Sequence, residues 1–229
     1  MNDSDLMLQT IGVGKTFPEA NGGVLSILQG ISFYVRKGES VSVVGNSGSG
    51  KSTLLEICAS LLPADSGTVL FDGQDVSRLG DRELSGIRSR KMGFIFQNSL
   101  LLGDFTALEN VMMPLLIAGA GRQEARYAAV RLLGKVGMGD RLDHRNDTLS
   151  GGERQRVAVA RSLANSPKMI FADEPTGALD EENAKSIETL LFSLVKETGT
   201  TLLLVTHNLA FAHQCDRSFR LYERMLHET

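Results

Sequence analysis

Gly45-Asn46-Ser47-Gly48-Ser49-Gly50-Lys51-Ser52-Thr53 fits the pattern G-x-x-x-x-G-K-[ST], a loop shaped to hold phosphate. Each residue type has a physical reason to be there. Gly48 and Gly50 let the backbone turn tightly and aim its N–H groups at phosphate oxygens. Lys51 brings a positive charge to the β- and γ-phosphates, and the Ser52 hydroxyl is placed to ligate Mg²⁺. The flanks agree with this reading. Ser40-Val41-Ser42-Val43-Val44 reads as a short strand feeding the loop, and Ser52 to Cys58 reads as a helix whose positive N-terminus faces the anion. The stretch implies a bound nucleoside triphosphate.

Working outward, the bulk numbers bound what surrounds this loop. The 229 residues are 42% hydrophobic, enough for one substantial core. Lys+Arg of 24 against Asp+Glu of 27 gives a net charge of −3, with no electrostatic reason to expect nucleic acid as a partner. Cys58 and Cys215 are far apart and form no C-x-x-C pair, so they read as small core hydrophobes rather than a disulfide or zinc site. Met1-Asn2-Asp3-Ser4-Asp5 is acidic and lacks the order of a signal peptide. The longest uncharged apolar run, Asn110 to Gly121, contains Pro114 and is too short to cross a bilayer. The expectation is a soluble cytoplasmic chain that reaches a membrane only through a partner.

In order along the chain, Leu6 to Phe71 reads as short strands. Val24–Leu28 and Ile31–Val35 are strand-like, Arg36-Lys37-Gly38-Glu39 is a turn, and Gly67–Phe71 enters an Asp72-Gly73 turn. After Phe94-Ile95-Phe96-Gln97 the texture becomes helical. Thr106-Ala107-Leu108-Glu109 is a capping-box pattern opening a helix that Pro114 and Gly119 limit. Arg122 to Val136 is amphipathic, with Ala125, Ala128, Ala129, Leu132, Leu133 and Val136 at helical spacing. The last third returns to α/β alternation. Met169-Ile170-Phe171-Ala172 is a buried strand ending in Asp173-Glu174. Asp180 is the N-cap of a helix stopped near Gly199, and Thr200 to Thr206 is another apolar strand.

Asp173 at the end of its strand is suited to hold Mg²⁺ through water, and Glu174 to orient or deprotonate the attacking water. Two acids ending a strand are common in any α/β protein, so the pair takes its weight from the phosphate loop. Leu149-Ser150-Gly151-Gly152-Glu153-Arg154-Gln155 then resembles the L-S-G-G-x-x-Q signature of the ABC-type ATPases, and the resemblance covers essentially the whole chain. It implies an α/β fold of the P-loop NTPase class, with a mixed sheet core, an N-terminal antiparallel β subdomain and a helical subdomain. The expected organisation is a single ABC ATPase domain, with residues 1–97 and 165–229 as nucleotide-binding core and 98–164 as the helical signature subdomain.

The resemblance also assigns roles. Phe17 falls where the family stacks an aromatic on adenine, usually Tyr. Gln97 matches the glutamine that ligates Mg²⁺ and senses the coupled partner. Ser150, Gly151 and Gly152 form a second anion site at a helix N-terminus. Asp180 matches the loop linking the two sites of a dimer, and His207 the switch histidine that contacts the γ-phosphate. Glu174, His207 and Gln97 are the implied catalytic set. The implied assembly is a head-to-tail homodimer with two ATP molecules, each between Lys51 of one copy and Ser150 of the other, on the inner face of the cell membrane against integral membrane permease subunits.

Phe94–Gln97, Asp104–Val111, Met113–Leu116 and Phe171–Asp180 resemble the lipoprotein-release and macrolide-efflux branch (LolD and MacB types). Leu191–Leu194 and Cys215–Arg217 also resemble its YbbA-type relative. Lipoprotein release is the first expectation, with Leu100-Leu101-Leu102 and Phe105 as the place where a permease coupling helix docks. Alternatives stay open: a mechanotransmission ATPase of the macrolide-efflux, YbbA or cell-division type, or a soluble non-transport ABC ATPase. A nucleotide-binding scaffold without turnover fits poorly with both Glu174 and His207 in place.

Overall fold

The computed structural model describes residues 5–19 and 22–229, so residues 1–4 of the acidic N-terminal stretch lie outside it. Two compact units are present. One comprises the residues up to Ser85 together with Thr201–Thr229; the other comprises Gly86–Thr200.

In the first unit, β1 (Leu6–Pro18) and β2 (Val24–Arg36) run antiparallel. The two strand-like stretches expected at 24–28 and 31–35 form one strand here, with Gly30, at a left-handed φ of 63°, taking up a bulge where the register with β1 shifts. After β3 (Ser40–Val44) and α1 (Lys51–Cys58), β4 (Ser66–Phe71) pairs with β1 and with the short β5 (Gln74–Asp75). Asp72 and Gly73, both at positive φ, make the tight turn between β4 and β5. Helix α2 (Asp81–Lys91) follows and buries no residue.

The first unit is completed by β8 (Thr201–Thr206), α7 (Leu209–Ala212), β9 (Arg217–Tyr222) and β10 (Met225–Glu228). Strand β3 lies parallel between β8 and β9, and β10 closes antiparallel on β9, which makes this sheet mixed. Every residue of β3 and β8 is buried. That burial explains the continuous apolar run of β8, since a central strand covered on both faces has no polar side to show. The buried Ser40 and Ser42 of β3 are hydrogen-bonded to Asp216, Ala212 and Ser218. Helix α1 adds Leu54, Leu55, Ile57 and Cys58 to this core.

In the second unit, β6 (Met92–Phe96) and β7 (Met169–Asp173) pair parallel, Met92 opposite Met169 and Phe96 opposite Asp173. Between them come α3 (Ala107–Ile117), α4 (Arg122–Lys135) and α5 (Gly151–Ser162), and α6 (Glu181–Thr198) follows β7. Helix α3 begins with the expected capping box: Thr106 Oγ1 accepts from the Glu109 N–H at 3.2 Å, and the Glu109 carboxylate accepts from the Thr106 N–H at 2.9 Å. Pro114 does not end it. A proline removes a single i→i−4 bond, and the helix resumes with the Ala118 N–H donating to the Pro114 carbonyl at 3.0 Å. Gly119, at φ 99°, stops it instead. No helix among the described residues is long and apolar enough to cross a membrane.

Candidate functional site

Within the first unit, the phosphate loop leaves the buried end of β3. A Cβ on Gly45 would stand 2.8 Å from both the Leu221 carbonyl and Ser49 Oγ, so no larger residue fits there. Gly50 is doubly required. Its φ of 99° favours glycine, and a Cβ there would meet Ile27 Cγ2 of β2 at 2.6 Å. Lys51 is buried to 7% exposure, and its ammonium donates to the Asn46 carbonyl at 2.9 Å, which folds the side chain back over the loop. Helix α1 starts at Lys51 with no side-chain cap and no acid in its first turn. Its N-terminal amides therefore keep their positive potential for an external anion. Ser49 Oγ is buried without a hydrogen-bond partner, as expected of a hydroxyl in a loop built around phosphate oxygens.

One further expected residue, His207, comes to the same loop, and Phe17 lies on the strand pair that packs against it. Val44 pairs with Thr206 across β3 and β8, so Gly45 and His207 leave neighbouring strand ends side by side. His207 is exposed, and the next residue, Asn208, caps α7 by accepting from the Phe211 N–H at 3.2 Å. Phe17 is 36% exposed on β1 and pairs with Leu25 of β2, two residues from the Ile27 that packs at Gly50.

Within the second unit, Phe96 is paired with Asp173, so Gln97 and Glu174 emerge from adjacent strand ends. Glu174 holds a positive φ of 45°, a conformation that costs a non-glycine residue energy and is concentrated at functional sites. The loop after it passes Gln97, for a Cβ on Gly177 would lie 3.0 Å from Gln97 Nε2. Asp180 caps α6: Oδ1 accepts from the Asn183 N–H at 2.9 Å and Oδ2 from Asn183 Nδ2 at 2.7 Å. The Asn183 backbone N–H, with its side chain, holds the Asp180 carboxyl below the usual carboxylate range.

Ser150 caps α5, accepting from the Glu153 N–H at 3.2 Å, while Glu153 Oε2 accepts from the Ser150 N–H at 2.8 Å. That hydrogen bond from the Ser150 backbone is the main reason the Glu153 carboxyl sits below its ordinary range, with Arg141 Nε adding a 3.2 Å ion pair. The pairing partly balances a negative charge that would otherwise oppose an anion at this helix end. Gly152 is fixed by closeness: a Cβ there would be 2.6 Å from Asn183 Oδ1. The first turn of α5 and the Asn183 that bonds the Asp180 cap thus share one packing contact.

Some of this was not read from the sequence. Ser150-Gly151-Gly152-Glu153 carries capping-box spacing, a signal present in the sequence but not used. Gln155 Nε2 donates to the Phe96 carbonyl at 3.1 Å, and Arg161 donates to the Ser99 and Leu100 carbonyls at 2.7 Å each. Helix α5 therefore grips the chain on both sides of Gln97, a non-local contact that no local pattern announces. Arg154 and Arg156 are likewise committed to the Leu149 and Val136 carbonyls. That Arg154, Arg156 and Arg161 hold the signature helix rather than bind nucleic acid is the expectation from the sequence, and only their partners were not legible.

A sequence profile of the family described as ABC transporter matches residues 28–177. The lipoprotein-releasing system ATP-binding protein LolD of Bacteroides thetaiotaomicron is 46% identical, covering 95% of this chain and 97% of that protein. The uncharacterized ABC transporter ATP-binding protein YbbA of Escherichia coli is 47% identical over 89% of this chain and 90% of its own. A dimeric ATP-binding cassette solved in a post-hydrolysis state with ADP and Pi superposes with a TM-score of 0.90 and 37% identity, covering 97% of this chain and 98% of that one. A phosphate loop at the end of a buried strand, a capped signature helix and this breadth of likeness lead to one assignment: the chain belongs to the ABC transporter family, as one of its ATPase cassettes.

Proposed function

We propose that the chain is the ATP-hydrolysing subunit of a machine that releases or exports lipoproteins from the inner membrane. The observation that carries this reading is the 46% identity, over nearly the full length of both chains, to a protein named for lipoprotein release. In this reading the cassette is a head-to-tail homodimer, peripheral on the cytoplasmic face, bound to integral membrane permease subunits. A dimeric cassette at TM-score 0.90 supports the assembly.

The residue roles follow from chemistry. Lys51 and the amides of the Gly45–Thr53 loop hold the β- and γ-phosphates, and Ser49 Oγ gains an acceptor there. Phe17 supplies a face for adenine. Ser52, Gln97 and Asp173 are oxygen donors of the hard kind that Mg²⁺ takes, and the bound ion would neutralise charge developing on the phosphate oxygens. Glu174 accepts the proton of the attacking water, and His207 contacts the γ-phosphate. Ser150, Gly151 and Gly152 complete the site of the second copy at the positive end of α5, while Asp180 ties that site to the next. Residues 98–164 form the helical signature subdomain that faces the permeases, with Leu100 and Leu102 exposed for docking.

The test uses Glu174→Gln, expressed with a tag in the native host and purified from detergent-solubilised membranes with ATP. Co-purification of a permease pair carrying lipoprotein is expected. The 47% identity to the YbbA protein favours, as second reading, a related complex that exports or signals something else. A permease pair without lipoprotein would select it, and no membrane partner at all would overturn both.

A further inference from the structure

Lys15, two residues before Phe17 on β1, is an almost fully buried cation at 8% exposure. Its ammonium donates to Asp65 Oδ1 at 2.7 Å and to the Pro63 carbonyl at 2.8 Å. The other oxygen of Asp65 accepts from the Thr16 N–H at 2.7 Å and the Thr16 hydroxyl at 2.8 Å. One carboxylate therefore clamps two consecutive residues of β1, immediately before the ring. The ammonium lies 5.5 Å from the Phe17 ring centroid, within cation–π range. Residues i and i+2 of a strand share a face, so this contact follows from the strand itself.

From this geometry we infer that Lys15, locked by Asp65, is a positioning residue that sets the Phe17 ring as the platform for the adenine of ATP. The inference rests on the reading of Phe17 as the adenine-stacking residue. A phenylalanine has no hydroxyl with which to anchor its own orientation, so the anchoring falls to the neighbouring cation. The Lys15 ammonium stands over the ring, and Phe17 as a whole remains 36% exposed, which leaves surface for a planar base. A cation on one face also draws electron density through the ring, which favours stacking of an electron-rich purine on the opposite face. The phosphate loop reaches the same place through β2, since Ile27 and Leu28 pack at Gly50 while Leu28 pairs with Lys15 and Leu25 with Phe17.

The test separates base from phosphate binding by calorimetric titration of the purified full-length chain with ATP and with inorganic tripolyphosphate. Lys15→Met should weaken ATP roughly threefold to tenfold, the range of one cation–π contact, and leave tripolyphosphate unchanged. Lys15→Arg, which keeps the charge, should restore ATP binding. If Lys15→Met fails to fold, Asp65→Asn releases the clamp from a more exposed position and should show the same ATP-only loss. Phe17→Ala fixes the interpretation. If it weakens ATP while Lys15→Met and Asp65→Asn do not, the positioning role is wrong and the stacking role stands. If Phe17→Ala binds ATP like the wild type, the stacking role itself fails. Equal losses for ATP and tripolyphosphate in Lys15→Met would reduce Lys15 to a fold-holding residue and overturn the inference.

Discussion

Lys51 carries the sharpest single-residue consequence. The residue is buried, and its ammonium donates to a neutral carbonyl, that of Asn46. A phosphate oxygen is a stronger partner because both groups are then ionised. Lys51→Ala should weaken ATP binding roughly tenfold to hundredfold, from a charge-assisted hydrogen bond of about 1.5–3 kcal/mol, when measured by nucleotide titration. Unchanged affinity would remove the phosphate-loop assignment. At this scale the sequence was most legible, because a glycine-rich loop, a lysine and a hydroxyl at fixed spacing are local and chemically specific. Lys15 and Asp65 were not legible. They stand fifty positions apart, and only the pairing of β1 with β4 brings their neighbourhoods together.

At the scale of elements, two features lend themselves to measurement. Asp65 has its carboxyl lowered to about 2, chiefly by the Lys15 hydrogen bond and then by Thr16. A carboxylate whose pKa falls on folding stabilises the native state above its unfolded value, near 4, and loses that contribution as pH drops toward 2. Asp65→Asn should therefore be less stable than wild type at pH 7, and the two should converge as acid is added. Urea unfolding at pH 7 and pH 3 checks this, and a difference that grows in acid would contradict it.

The second feature is the turn after β6, where Ser99 and Leu100 both take positive φ, 54° and 45°, while Arg161 bonds both carbonyls. Two consecutive non-glycine residues in that region persist only when something holds them. Burial pushes the Arg161 guanidinium below its ordinary pKa, the mark of a desolvated cation kept for its hydrogen bonds. Arg161→Met should speed hydrogen exchange at residues 99–102 by roughly tenfold or more, an opening of about 1–3 kcal/mol, while tripolyphosphate affinity stays unchanged. Exchange no faster than wild type would show that the turn holds itself.

Elements were legible in proportion to their periodicity. Helix α6, from the Asp180 cap to Gly199, and the buried strands β3, β7 and β8 follow the apolar pattern closely. Helix α2 was missed because it buries nothing and so shows no stripe. The β9–β10 hairpin was missed because Glu223 and Arg224 make its turn at φ 49° and 69°, where the usual Asn-Gly or Asp-Gly signal is absent.

For the whole molecule, the argument turns on what one chain offers to another. Lys51 and its loop lie in the first unit, and Ser150 with the Asp180 cap in the second, each at the N-terminus of a helix. In the proposed dimer, ATP joins Lys51 of one copy to Ser150 of the other, so nucleotide and association are thermodynamically linked. In the same proposal, hydrolysis removes the γ-phosphate contacts assigned to Ser150 and His207 and so releases the interface. The most direct measurement is sedimentation velocity of Glu174→Gln with ATP, with ADP and without nucleotide. The account predicts a dimer with ATP and a monomer in the other two conditions. A Glu174→Gln protein that stays monomeric when saturated with ATP, or that dimerises equally without it, would contradict the claim that ATP is the joint between the two copies.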